Sequence, residues 1–464
     1  MNMFEFNILK MLTLDELCRL LNNLKRWSSD ITESGRNELG KQALNVICCY
    51  ILAIEYEVRT GKNLNWSLFP KIALFRAFQK AYVNVDIREN TLHEIEGSEN
   101  PQKLFNEVTE RVIEHEADEE FRDYIKEGCE SIEESIFKAA TKIATLLELL
   151  EIKNKVHNFR RVYYEVVSDA KKYYDIPGFR SIFKKLKRKK WKIAKEFQKN
   201  TIKVLEDVST LRNRDRWSVY SHPVKCSVLG HLFETAAIAY FVSLEHGLSE
   251  KNATTNFFVG AFHDVAEVYT GDIPSPIKDY IRNFRKRSEE FELRMMNENF
   301  YPYLPSYLEK AVRDVMLEEP KNSDRKGIIK IADYVSAVSE VHRQAVKGSH
   351  DRELYKALVG HRAKLRFYDA GKIEMMYYEY VEKYCRKTML LGDTDYYLAA
   401  AEMTCRNILR INEGFMTDIK KYKMTKKLYR RFLLIERYFN ESETDDIEKT
   451  KFAALKEKCR KFYY

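Results

Sequence analysis

Along most of the chain, apolar residues recur at spacings of three and four, the period of a helix with one buried face. In 328–341, Ile328, Ile331, Val335, Val338 and Val341 fall on one stripe, and Asp333 sits inside that helix. A second helix is expected from about Leu229 to Leu244 and a third from about Asn256 to Val268, with Gly247 and Gly271 as stops just beyond them. The segment TGDIPSP (270–276) holds two prolines and a glycine, which prevent the third helix from continuing. With only 16 Gly and 9 Pro in 464 residues, a turn-dense β design is disfavoured, and the fold class expected is all-α.

Length allows two or three compact units, and a composition 45% hydrophobic and 32% charged supports a sizeable core. The eight cysteines fall at scattered spacings without a paired CxxC, so free thiols in a reducing, cytoplasmic setting are expected. Glu5, Lys10, Asp15 and Glu16 interrupt the first apolar stretch, which therefore lacks a signal-peptide core, and no run approaches the roughly 18 apolar residues of a membrane span. The net charge of +9 is modest for this size and fits anionic substrates without requiring them. Its densest concentration is FKKLKRKKWKIAK (183–195), which reads as a solvated helix face or as a contact to nucleic acid.

Sliding the chain against itself reveals a repeat. Arg26 and Trp27 precede Lys41 as Arg216 and Trp217 precede His231; AFQK (77–80) matches AFHD (261–264), and KAATKIATLLE (138–148) matches KIADYVSAVSE (330–340). Four matches in order at nearly constant offset predict a duplicated unit of about 190 residues. The expected organisation is a first copy over 1–180, a basic helical linker over 181–204, a second copy over 205–388 and a C-terminal helical extension over 389–464.

Candidate chemistry concentrates in the second copy. His263 and Asp264 are adjacent, with Glu267 one helical turn further on the same face, and His231 and Asp333 lie on two other expected helices. Two imidazoles with two carboxylates suit one divalent transition metal, manganese or cobalt among them. Burying four such groups without a metal or ion pairs is expensive. In the first copy the same places hold Lys41, Gln79, Lys80 and Thr141, a set that does not bind a divalent cation.

The order His231, His263 with Asp264, then Asp333, together with HDVAEVYTGDIPSPIK (263–278) and with Arg216 and Trp217 ahead of His231, resembles the HD-domain superfamily of metal-dependent phosphohydrolases. Within it the chain is similar to the small bacterial HD 5′-deoxynucleotidases, over roughly 205–385. HDxGHxPFGH, GYP and HDTVEDT elements of other HD branches are absent from the sequence.

The resemblance implies two tandem HD-type domains with a degenerate first copy, an intramolecular pseudo-dimer, and removal of phosphate from (deoxy)nucleoside 5′-monophosphates. Metal ligands would be His231, His263, Asp264 and Asp333. Glu267 would activate or position water, Arg216 would grip the phosphate and Trp217 would pack on sugar or base. Asp272 would bind the sugar hydroxyl or protonate the leaving oxygen, with Thr270 and Lys278 on the phosphate side or in turn-forming roles. His222, followed by Pro223, reads as a loop residue, and Cys226 has no companion base for thiol chemistry. Rival classes are an HD nuclease or phosphodiesterase acting on single-stranded nucleic acid or cyclic nucleotides, and a nucleotide-sensing regulatory protein.

Overall fold

The structure, a computed structural model, describes residues 14, 17–27, 36–83, 131–189, 201–218, 220, 223–273, 283–316, 323–346 and 446–460, with single positions between 351 and 440. Among the described residues there are helices and no sheet; the extended pairings are two isolated bridges, Lys25 with Asn37 and Asp215 with Ser227. Two compact units result, one of residues 1–216 with 225–336 and the other of 217–224 with 337–464.

The first unit contains α1 (Glu38–Thr60), α2 (Leu68–Val83), α3 (Ile132–Glu151), α4 (Phe159–Ala170), α5 (Phe179–Lys189) and α6 (Thr201–Ser209). It continues with α7 (Val228–Glu245), α8 (Glu250–Phe262), the short α9 (Glu267–Thr270), α10 (Phe284–Asn299) and α11 (Ser306–Val315). Next comes α12 (Ser323–Val346), whose residues to Ser336 belong to this unit. In the second unit, α13 (Asp446–Arg460) is described near the end of the chain.

The core of the first unit is built on α1 and α7, which pack on each other, with α3 against α1 and α8 against α7. Both central helices are buried over most of their length, as expected of helices surrounded by protein, and α1 carries Glu38, Lys41, Gln42, Asn45 and Glu55 among its buried positions. Tyr50 of α1 stacks at 4.9 Å on Phe258 and 5.3 Å on Phe262 of α8, and Trp66 joins the group at 5.5 Å. Such tilted ring pairs add to plain area burial. The Tyr50 hydroxyl is not left dry, since it donates to Ala311 O at 3.0 Å.

One local construction occurs twice, 190 residues apart. Asn37 and Ser227 cap α1 and α7, each accepting from the N–H of a glycine three residues on, Gly40 or Gly230. Each cap closes a bridge to the strand-like segment just before a tryptophan with positive φ, Trp27 at 61° and Trp217 at 64°. The two helix starts meet: a Cβ on Gly230 would stand 3.3 Å from Leu39 Cδ2, and one on Gly40 3.5 Å from Ser227 Oγ. Further contacts join distant segments beside them. Asn22 Nδ2 donates to Lys225 O at 3.1 Å, and at the place equivalent to Asn22 in the later segment Arg212 reaches Glu148 Oε1 at 3.0 Å.

Two expected helices appear with small changes, as Val228–Glu245 and the longer Ser323–Val346. The third does not run from Asn256 to Val268. It starts at Glu250, where the Ser249 side chain accepts from Asn252 N, and ends at Phe262. Residues 263–266 are turns tied by bonds of three-residue span, Val265 N to Phe262 O and Glu267 N to Asp264 O, before α9 begins. The tighter span swings His263 and Asp264 out of a regular helix face. No helix among the described residues is long and apolar enough to cross a membrane.

Candidate metal and phosphohydrolase site

The position of His231 follows from the cap of α7, since its N–H bonds to Ser227 O at 3.0 Å in the first turn. His263 reaches it because α7 and α8 cross closely: a Cβ at Gly260 would lie 2.7 Å from Ala236 Cα, so only glycine permits this approach. Gly260 also contributes its carbonyl, which accepts from His263 Nδ1 at 2.8 Å. A carbonyl cannot donate, so the proton belongs on Nδ1 and the Nε2 lone pair is left for a cation. The ring centroids of His231 and His263 are 5.3 Å apart.

Asp333 enters from α12. Its Oδ1 lies 3.2 Å from His231 Nε2, while Asp264 Oδ2 lies 3.0 Å from His263 Nε2 and 3.8 Å from His231 Nε2. The four donor atoms, one from each of His231, His263, Asp264 and Asp333, are within 4.8 Å of one another. Ser336 Oγ, 3.0 Å from His231 Nδ1, serves as the acceptor that aims Nε2 at the same point. Four lone pairs converging on one small space repel one another unless a cation stands among them. Two imidazoles and two carboxylates are a ligand set that a divalent transition metal satisfies.

The charge pattern agrees. Burial alone would raise the Asp264 carboxyl, but the His263 and His231 rings, when a proton occupies the Nε2 that a metal would otherwise take, hold it well below the usual carboxylate range against the opposing charge of Asp333. For Asp333 burial is likewise outweighed, by Lys330 at 3.5 Å and by His231 and His263. Both carboxylates therefore stay ionised at neutral pH, the state in which they can ligate.

Around this cluster, Glu267 opens α9 with its side chain buried at 6% exposure, three residues after Asp264. Arg216 is buried at 7%, and its N–H bonds to Cys226 O at 2.7 Å. Thr270 Oγ1 donates to Glu292 Oε1 at 3.2 Å, a tie to α10 that holds the short helix in place. Asp272 is half-buried just after Gly271, whose φ of 73° ends α9. In the second unit, Trp217 is buried and its Nε1 donates to Glu340 Oε2 at 2.8 Å. Lys278, His222, His350 and residues 190–195 lie outside the described residues.

Sequence reasoning did not single out Thr235, Ser336, Lys330 or Gly260. Thr235 Oγ1 is 3.4 Å from His231 Nε2. The first three stand three or four positions from a ligand on the same helix, a spacing that marks shared faces. Gly260 is three residues before His263, but its need for close crossing is a tertiary fact.

Residues 203–384 match the family model described as YfbR-like, 5′-deoxynucleotidase YfbR-like. A 5′-deoxynucleotidase of Pectobacterium atrosepticum is 24% identical over 162 residues, 34% of this chain and 81% of the relative. One from Photorhabdus laumondii is 23% identical over 150 residues, 32% of this chain and 76% of the relative. The YfbR 5′-deoxynucleotidase of Escherichia coli is 22% identical over 155 residues, 33% and 74% respectively. Residues 203–384 thus carry an HD-type phosphohydrolase domain of the YfbR-like kind, with all four clustered donors inside the matched segment.

Proposed function

We propose that this domain releases orthophosphate from nucleoside 5′-monophosphates, the deoxy forms above all, with one divalent transition metal such as manganese or cobalt held by His231, His263, Asp264 and Asp333. The observation that carries the reading is the convergence of those four donors within 4.8 Å, inside the segment similar to 5′-deoxynucleotidases. When bound, the metal supplies Lewis-acid polarisation of a phosphate oxygen and makes the attacking water more acidic.

The chain's own residues do the rest. Glu267, buried beside the ligand turn, takes a proton from the water as its oxygen attacks phosphorus. Arg216 forks two N–H donors to the phosphate and offsets its charge. The bond from phosphorus to the 5′ oxygen breaks, and Asp272 either delivers the proton that the leaving alkoxide needs or binds the neighbouring sugar hydroxyl. Thr270 keeps α9, and with it Glu267, in register through Glu292. Lys278 serves the phosphate side in the same reading.

The first half is read as a silent copy, making the chain a pseudo-dimer with itself. What supports this is the repeated cap, bridge and tryptophan, and the meeting of the two helix starts, where a Cβ on Gly40 would stand 3.9 Å from Gly230 N, the same place in each copy. At the place equivalent to His231, Lys41 Nζ donates to Thr145 Oγ1 at 2.6 Å and Thr141 O at 3.3 Å. Gln79 Oε1 accepts from Arg76 at 2.9 Å. Neither leaves room in its bonding for a divalent ion.

The test is phosphate release from a panel of mononucleotides, dinucleotides, triphosphates and oligonucleotides with manganese or cobalt added, beside elemental analysis of the purified chain. Release from 5′-monophosphates with close to one metal per chain is expected. A metal-loaded chain that cleaves only oligonucleotides or triphosphates would overturn the substrate reading, and two metals per chain the silent copy.

A further inference from the structure

Residues 153–189 hold twelve Lys or Arg against three Asp or Glu. That excess of nine equals the net charge of the entire 464-residue chain, so the remainder is close to neutral. A merely solvated helix face usually mixes its signs to stay soluble, and α3, for example, interleaves Glu133, Glu134 and Glu148 with Lys138 and Lys142. Here the charge is gathered into α4, α5 and the turns that flank and join them.

The pair has a defined inner and outer side. Phe179, Ile182, Phe183 and Leu186 of α5 and Val162, Tyr163 and Val167 of α4 are buried, and the Tyr163 hydroxyl donates to Lys187 O across the two helices at 3.4 Å. Gly178, at φ 85°, starts α5 after the turn. The outer side of α4 presents Arg160, Tyr164, Ser168 and Lys171 at spacings of four, four and three, hence on one face. The outer side of α5 presents Arg180 and, one turn on, Lys184 with its neighbour Lys185. Two of the three acids are already compensated: Asp169 binds Lys142 and, at 3.0 Å, Lys172, and Glu165 lies 3.8 Å from Arg161.

Aromatic rings lie among these cations. Tyr164 is 60% exposed, the one exposed large apolar or aromatic side chain among the described residues of the pair. Tyr173 sits under Lys172 at 5.5 Å and Tyr174 under Arg180 at 5.8 Å.

We propose that the outer face of α4 and α5 is a docking surface for single-stranded nucleic acid. Lysines and arginines along both helices track the phosphodiester backbone, and Tyr164 offers a ring on which one unstacked base lies. A duplex keeps its base faces stacked away from such a ring, which favours the single strand. An anionic membrane would meet the same charges, but a lipid-binding helix pair needs exposed aliphatic side chains to insert, and Tyr164 stands alone. The surface is separate in sequence and in composition from the metal-ligating residues, so its binding does not depend on the reaction assigned to them.

The experiment is fluorescence anisotropy with a labelled oligothymidylate of about 20 nucleotides, the full-length chain, and graded potassium chloride, with the same duplexed oligonucleotide and phosphatidylserine vesicles as further arms. Tight binding to the single strand that weakens steeply with salt is expected. The triple variant Arg180→Glu, Lys184→Glu, Lys185→Glu should lose at least tenfold in affinity and flatten the log–log salt slope by about two, since each single-strand phosphate contact contributes roughly 0.7. Tyr164→Ala should cost a smaller factor, about five- to tenfold, with the slope unchanged. The charge-neutral triple Arg180→Gln, Lys184→Gln, Lys185→Gln guards against misfolding, and phosphate release from a mononucleotide should be the same in every variant. Absence of binding to the single strand, binding untouched by both triples, or stronger attachment to vesicles than to the oligonucleotide would each overturn the proposal.

Discussion

Around α1 and around α7 the chain meets one electrostatic problem and answers it in two ways. Near α7, two imidazoles and two carboxylates turn their lone pairs inward, and only a cation from outside makes the arrangement favourable. Near α1, the cations are part of the chain. Glu148 is 2% exposed and receives Arg26 Nε at 2.9 Å and Arg212 Nη1 at 3.0 Å, with Lys41 at 3.9 Å. Arg26, the counterpart of Arg216, is further tied to Glu38 at 2.5 Å. Two buried carboxylates thus hold this guanidinium in place and neutralise its charge. On the proposed reading, reactivity goes with the site that lacks its own cation, and the internally neutralised one is inert.

The sharpest way to break this contrast is to remove the same element from each side. Asp264→Asn withdraws one of four metal donors and should lower phosphate release by at least about a thousandfold, with weaker metal retention in elemental analysis. Gln79→Ala or Thr141→Ala in the first half should leave turnover within about twofold, because neither position contributes charge to the reaction. If Gln79→Ala abolishes turnover in a chain that still melts at the parent temperature, the first half is not silent.

Next in size is the buried ionic cluster. Burial acts to raise Glu148, but Arg26, Lys41 and Arg212 prevail and bring its carboxyl down to about 2 from its ordinary 4.5. The folded state therefore binds the proton less readily than the unfolded chain, and the stabilisation is complete above pH 4.5 and fades as pH falls towards 2. A shift of this size corresponds to about 3 kcal/mol. Glu148→Gln should destabilise by about 3–5 kcal/mol at pH 7, since it strands two buried guanidinium groups. In urea titrations between pH 5 and 2.5 the variant should lose little further stability through this position while the parent loses much. Parallel pH curves for the two would mean that Glu148 is not the anchor of the first half.

How much of this was legible before the fold was known follows from the range of each interaction. His231, the His263 and Asp264 pair and Asp333 could be read because each lies in an apolar helical run whose period is local. The helix start near Leu229 and the stops at Gly247 and Gly271 were readable for the same reason, though the Ser227 cap was not singled out. The break after Phe262 was not, because it depends on three-residue hydrogen bonds and on the Gly260 carbonyl turning to His263. Nor was the pairing of Arg212 with Glu148, or of Trp217 with Glu340, which unite residues from distant segments with no periodic signal between them. Lys41, Gln79 and Thr141 stand out in the sequence as departures from the His and Asp pattern, but two of their partners, the Thr145 hydroxyl that accepts from Lys41 and the Arg76 guanidinium that donates to Gln79, do not.

The smallest effect, and the finest test of the contrast, belongs to Lys41. Burial dominates its titration and brings the ammonium down to about 7 from 10.5; Glu148 and Glu38 push it back up, while Arg26 and Arg212 push it down again. Two arginines already neutralise Glu148, so the lysine adds little attraction and brings a desolvation cost of its own. In the unfolded chain the same group holds its proton to about pH 10.4. The folded state is thus the poorer proton binder, and the Lys41 contribution to stability is most favourable above pH 10.5 and is lost as pH falls through 7. Lys41→Met fills the same space without a charge, and it should leave phosphate release within about twofold and the fold no less stable at pH 7. Relative to that variant, the parent should gain stability as the buffer is taken from pH 7 to pH 9.5, read as converging melting temperatures. A first half that depended on the ammonium would show the reverse, a variant that melts well below the parent at pH 7, and the internal cation would then be a structural requirement.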